Sequence, residues 1–156
     1  MEDFEKLYRE IAGQEQLLQF TEFTSDTALA IGMSLVKRAQ QEGKAIAIDV
    51  TRHGQRLFHF AFDGTSPDND VWIEGKNRLV NRTNRSSLEF ELRVRQSGKS
   101  IAELFNAEVG VYLAGGGAFP ITVKKVGVVG TITVSGLTGA EDHAWVVGAV
   151  RAHLGL

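Results

Sequence analysis

The sequence contains no cysteine, and that absence excludes disulfides, thiolate nucleophiles and every cysteine-based zinc or iron–sulfur site. Proline is scarce, with 2 residues in the chain, and no low-complexity stretch or repeat marks a linker. Residues 1–156 therefore read as one domain. A run of about 18 apolar residues is missing too, so no transmembrane helix is expected. Basic charge is not in excess: the net charge is −2, which gives no general attraction to nucleic acid or to an anionic membrane, and neither is expected as a partner. The opening Met1-Glu2-Asp3-Phe4-Glu5-Lys6 is acidic where a secretory signal would be basic and then apolar, which makes the cytoplasm the expected compartment. What is present is an ordinary globular balance, 43% apolar and 23% charged, in a chain long enough to bury roughly 70% of its unfolded surface.

Periodicity divides the chain into elements. Phe4, Leu7, Tyr8, Ile11 and Leu18 keep close to helical spacing. A second helix starts at Thr24 or Ser25, carries Ala28, Ile31, Gly32, Leu35 and Ala39 on one face, and ends at Gly43. The nearly all-apolar run from Ala45 to Val50 suits a central strand. His53-Gly54-Gln55 then turns into a second strand, Arg56 to Phe62, with Phe58, Phe60 and Phe62 on one side and Leu57, His59 and Ala61 on the other. Ser66-Pro67-Asp68 opens a helix that should hold Trp72, Leu79 and Val80 inward. Residues 86–98 alternate like a strand, yet Glu89–Arg93 and Glu91–Arg95 stand at i,i+4 between a serine cap and Gly98, and the helix is preferred. Ile101 to Phe105 adds another helical turn. Ala114 to Pro120 reads as a loop, Ile121–Lys124 and Val128–Val134 as a second hairpin, and Thr138-Gly139-Ala140-Glu141 as a capping box opening the last helix over Val146, Val147, Val150 and Leu154. Helices and hairpins in this order imply an antiparallel sheet with helices packed on it, an α/β (α+β) fold.

The C-terminal third carries a resemblance. Gly115-Gly116-Gly117-Ala118-Phe119-Pro120-Ile121, then Gly127 to Gly136, then Asp142 on the following helix, are similar to the GlcG/HbpS group of haem-degrading-domain proteins. His53-Gly54 after an apolar strand, Thr65-Ser66-Pro67-Asp68-Asn69 with Trp72, and Arg85-Ser86-Ser87 resemble its branch of short uncharacterised UPF proteins. The likeness covers nearly the whole chain. It implies a profilin-like three-layer α/β/α fold with five antiparallel strands, and a homo-oligomer larger than a dimer. Haem enters as a cofactor through more distant members of the group, and none of their axial ligands matches a residue here.

Each candidate site residue has a functional and a plain reading. Gly115, Gly116 and Gly117 can cradle an anion with exposed backbone N–H groups, or shape a tight turn into a strand; they lack the lysine and serine of a P-loop. His53, beside Arg52 at a hairpin tip, suits a general base, a haem or metal ligand, or a turn. No pair of histidines has the i,i+4 spacing of a helical metal site, and no metal is expected. His59 reads as a satisfied, half-buried residue. The basic stretch Lys76, Arg78, Arg82 and Arg85 can hold a carboxylate, a phosphate or a haem propionate, or else meets water or a neighbouring subunit; within it the i,i+4 pair Arg78 and Arg82 must share a face. Ser135-Gly136 lacks the frame of a nucleophile elbow. Asp142 favours the dipole of the last helix and can face the glycine loop. No motif assigns a reaction. The leading expectation is a small anionic ligand bound near the glycine loop, ahead of an oligomeric scaffold without catalysis and a haem-binding or haem-degrading protein.

Overall fold

The computed structural model describes residues 2–156. Six helices and four strands follow one another as α1 (Phe4–Leu17), α2 (Ser25–Glu42), β1 (Ala47–Arg52), β2 (Gln55–Ala61), α3 (Pro67–Thr83), α4 (Ser87–Ser97), α5 (Ile101–Phe105), β3 (Ala118–Val123), β4 (Gly127–Ser135) and α6 (Gly139–Leu154). The strands form one antiparallel sheet in the order β2-β1-β4-β3.

Alternation along the strands divides the molecule into layers. Ile48 and Val50 of β1 and Ile132 and Val134 of β4 enter the main apolar cluster, shared with Ile31, Leu35 and Val36 of α2 and Val146, Val147 and Val150 of α6. Their strand neighbours Asp49, Thr131 and Thr133 are also buried, but on the opposite face, where α3 lies: Asn77 of α3 bonds to Asp49 and Thr133. Period 2 sends successive side chains to opposite faces, so one strand serves an apolar layer and a polar one.

Five strands were expected and four are present among the described residues. At the outer edge of β3, Phe20 makes a single parallel bridge to Val123. Its N–H donates to the Thr122 carbonyl at 2.8 Å and its carbonyl accepts from Lys124 N at 2.8 Å. Only one residue pairs because α2 begins shortly afterwards, at the Thr24 cap. The edge is covered, but no fifth strand develops.

Residues 87–97 are helical. Ser86 occupies the N-cap position without a capping bond, and its hydroxyl and N–H both reach Glu15 of α1. The Ala114–Pro120 loop is shorter than expected, because β3 already starts at Ala118. Thr138 caps α6 by accepting from Glu141 N. Trp72 does not face inward; it is 40% exposed. The first helix lies on its own chain, burying Ile11 and clasped through Glu15 to Arg85 and Ser86. No helix among the described residues is long and apolar enough to cross a membrane.

Candidate functional site

Three backbone ends meet beside the polar face of the sheet. Pro67 at the first position of α3, with the reciprocal Ser66–Asn69 cap, fixes where that helix begins. From there Asp68, Trp72 and Lys76 recur at i,i+4 and so share a side. The glycine loop arrives from β3, and the end of β4 leads through Gly136 and Leu137 to α6. Together they enclose a cavity of about 350 Å³ lined by Asp68, Asn69, Trp72, Lys76, Glu91 and Asp142, with Ala114–Gly116, Ser135–Leu137 and Gly139 completing the wall. This volume falls in the range of small-molecule sites, roughly 300–1,000 Å³.

Lys76 is the buried charge of this wall, with 2% of its surface exposed. Its Nζ donates to the carbonyls of Gly116 at 3.0 Å and Val134 at 2.8 Å, and stands 3.7 Å from Asp142 Oδ2. One side chain thus ties α3 to the glycine loop, to β4 and to α6. Burial pulls the Lys76 pKa below its ordinary value, against the opposing pull of Asp142. Burial likewise pushes Asp142 up to about 6, although Lys76 and the N–H groups of Leu137 and Gly136 favour its charged form. The Asp142 Oδ1 accepts from Leu137 N at 3.0 Å. In both groups loss of water outweighs the attraction between them.

Two glycines are required by space and dihedral. A Cβ on Gly116 would collide with the Gly139 carbonyl, so no side chain fits where the loop passes the start of α6. Gly117 has φ +129°, a conformation that L side chains avoid, and a Cβ there would come within 2.7 Å of Lys76 Nζ. Glu91 of α4 closes the remaining side. Its Oε1 accepts from Gly116 N at 3.3 Å, and its Oε2 from Arg95 at 3.2 Å.

The structure therefore places Gly115, Gly116 and Asp142 in one wall, with Gly117 directly behind it. His53, Arg78 and Arg82 lie elsewhere. His53 sits exposed at the β1–β2 turn with φ +52°, its N–H on the Val129 carbonyl. Arg78 donates to the Val111 carbonyl at 3.2 Å, and Arg82 lies over the rings of Phe105 and Tyr112, 4.7 Å and 5.3 Å from their centroids. These two arginines hold the segment that leads into the glycine loop. The residues that sequence reasoning did not assign to the site are Asp68, Asn69, Trp72, Glu91 and Ser135; Lys76 was placed in the basic stretch, with Arg78 and Arg82 preferred over it. Lys76 carried a signal: it falls between Ile73 and Leu79 in the inward stripe of α3, where an unpaired lysine would be costly.

A second polar cluster lies under the other edge of α3. Asp49, 1% exposed, accepts from Thr51 Oγ1 at 2.7 Å and Arg56 Nε at 2.9 Å, with His59 Nδ1 at 3.1 Å. A bulge in β2 brings Arg56 opposite Thr51, onto the face shared with His59. The other ring nitrogen of His59, a half-buried residue, lies 3.2 Å from Asp70 Oδ1.

Comparison with known proteins gives the kinship. Residues 23–151 match the family described as Haem degrading protein HbpS-like. A UPF0303 protein of Streptomyces coelicolor is 44% identical over 146 residues, covering 94% of this chain and 92% of that protein. A UPF0303 protein of Streptomyces avermitilis is 46% identical over 142 residues, with 91% and 87% covered. Among solved structures, the Ybr137w protein superposes with a TM-score of 0.85 at 27% identity, over 92% of this chain and 85% of that one. HbpS itself gives 0.67 at 24% identity, over 88% and 94%, and the PduOC:heme complex 0.70 at 17%, over 83% and 94%; these two likenesses are of fold alone. The chain belongs to the HbpS-like family, in its UPF0303 branch.

Proposed function

We propose that this protein binds a small anionic molecule, carrying a carboxylate or phosphate, in the cavity between α3, the glycine loop and α6. One observation carries the reading. The buried Lys76 ammonium, the backbone of Gly116 and the first turns of two helices, α3 at Asp68–Asn69 and α6 at Gly139, converge on the same cavity. The two helix N-termini lend positive potential to whatever enters, and the Gly116 N–H at the wall is held by the Glu91 carboxylate. Asp142 balances Lys76 in the resting protein, and its pKa near 6 lets it give up its charge to a proton when an anion arrives. The arginine pair Arg78 and Arg82 contributes only indirectly, by holding the Phe105–Leu113 segment against α3.

Haem does not fit this cavity. Its lining holds no histidine, methionine, tyrosine or cysteine, the side chains that ordinarily ligate haem iron. Of the buried or half-buried histidines, His143 has Nε2 2.7 Å from Gln14 Oε1, and His59 has Nδ1 3.1 Å from Asp49 Oδ2.

The test is titration calorimetry against a panel of carboxylates, phosphates, amines and polyols, read in parallel by the fluorescence of Trp72 at the cavity wall. The reading expects an anion to bind saturably, and Lys76→Met to abolish it. Binding confined to amines or polyols refutes the anion, and a blank panel refutes the pocket.

A second reading, a homo-oligomer larger than a dimer acting as a scaffold, is favoured by separate surface. Leu29 and Met33, one turn apart on α2, are 53% and 51% exposed, and Phe60 on the outer strand β2 is 41% exposed. Apolar groups of this size are normally covered by a partner when they cluster.

A further inference from the structure

Resting on the anion reading above, we infer that Glu91 is a built-in competitor for that site: its carboxylate occupies the place of the ligand's acidic group, and binding displaces it towards Arg95. The geometry shows where the acidic group would sit. Glu91 Oε1 lies against Gly116 N and against Gly139, where a Cβ would collide with that same oxygen. The two backbone segments that shape an anion cradle, the glycine loop and the start of α6, therefore both already touch a carboxylate. Its charge reaches further in, since Glu91 is among the groups that favour the charged form of Lys76.

The contact is weak enough to exchange. At 3.3 Å the Gly116–Glu91 bond is longer than the usual N–H···O distance. The same carboxylate has a second partner in Arg95, on the adjacent turn of α4 and itself half exposed. A displaced Glu91 keeps that ion pair and moves outwards, so its charge is never left buried and unpaired. An incoming carboxylate takes over the Gly116 N–H and the approach to Lys76. A neutral ligand cannot make this exchange on equal terms, because it offers nothing that replaces the charge leaving the cradle. The site is thereby closed to weak or uncharged binders and opened by an anion.

Exchange of this kind can be read without knowing the natural ligand. Acetate and inorganic phosphate serve as probes on the full chain, with sodium chloride at matched ionic strength as the control. Glu91→Ala empties the cradle and should bind acetate at least tenfold more tightly than the parent, with acetate raising its melting temperature saturably while chloride does not. Glu91→Gln keeps the shape and the hydrogen-bond acceptor but not the charge, and should gain a few-fold. It carries the test if the alanine variant does not fold, since no gain in glutamine then overturns the proposal. If both variants bind acetate and phosphate no better than the parent, while the parent still binds an anion through Lys76, the competitor role is wrong and the pocket stands. If neither parent nor variants bind any anion, the pocket reading falls with it.

Discussion

Replacing Lys76 by methionine probes the site and the fold at once. The substitution keeps most of the side-chain volume and removes the ammonium, which takes the donor from the Gly116 and Val134 carbonyls and the counter-ion from Asp142. At pH 8 Asp142 is ionised and left alone in a buried position. Removing one partner of a buried ion pair costs about 3–5 kcal/mol. The sign of the pH effect follows from Asp142. Burial raises its pKa from 3.8 to about 6 in the folded parent, so the folded state binds that proton more tightly than the unfolded chain. Its contribution to stability is full at low pH and is lost as the pH rises through about 6. Without Lys76 the carboxyl titrates higher still. At pH 5 it is protonated in the variant, the uncompensated charge disappears, and what remains is the loss of a donor to the two carbonyls, about 1–3 kcal/mol. Urea unfolding of parent and variant at both pH values measures the difference. Equal losses at pH 5 and pH 8, or a loss below about 1 kcal/mol at pH 8, would refute the assignment of Lys76 and Asp142 as a buried, mutually dependent pair.

Affinity for formate, which stays ionised throughout, should rise as the pH falls from 7.5 to 5.5, because Asp142 loses its charge through about 6; calorimetry showing a flat profile would separate Asp142 from the binding site. Gly116→Val should abolish anion binding and lower stability by about 1–3 kcal/mol or more, since its side chain meets the Gly139 carbonyl and Leu88; unchanged binding and melting would move the site away from the loop. Ile132→Asp should unfold the protein, because Ile132 is wholly buried in the central strand β4 and an unpaired charge there costs several kcal/mol; a normal melt would overturn that register. Light scattering should give more than twice the 17.0 kDa of one chain, and a monomer mass at micromolar concentration would reject the oligomer.

Local sequence was enough to define the helices, strands and turns. Ser66-Pro67-Asp68 placed the start of α3 at Pro67, Gly43 and Gly98 ended α2 and α4 in the left-handed conformation, and His53-Gly54 closed the first hairpin. All of these are local matters of dihedral, cap and period, legible within a few residues. The glycine loop and Asp142 could be singled out by the same means, together with the family they resemble. Which residues the glycine loop meets depends on how distant segments pack. Alternation made Asp49 and Thr133 neighbours of α3, and helical phase turned Lys76 towards the loop while Arg78, two residues on and about 200° around the helix, faced the Val111 segment. Trp72 shows the same limit: an aromatic at helical spacing reads as core, yet it stands at a cavity wall because Gly115, not a larger side chain, lies opposite. The fifth strand failed for a similar reason, since how far Phe20 runs beside β3 depends on where α2 must start to cover the sheet. Charges meet across distances in sequence that no local pattern encodes, and the Glu91–Gly116 contact joins residues 25 apart that become neighbours only when α4, the glycine loop and α6 pack together.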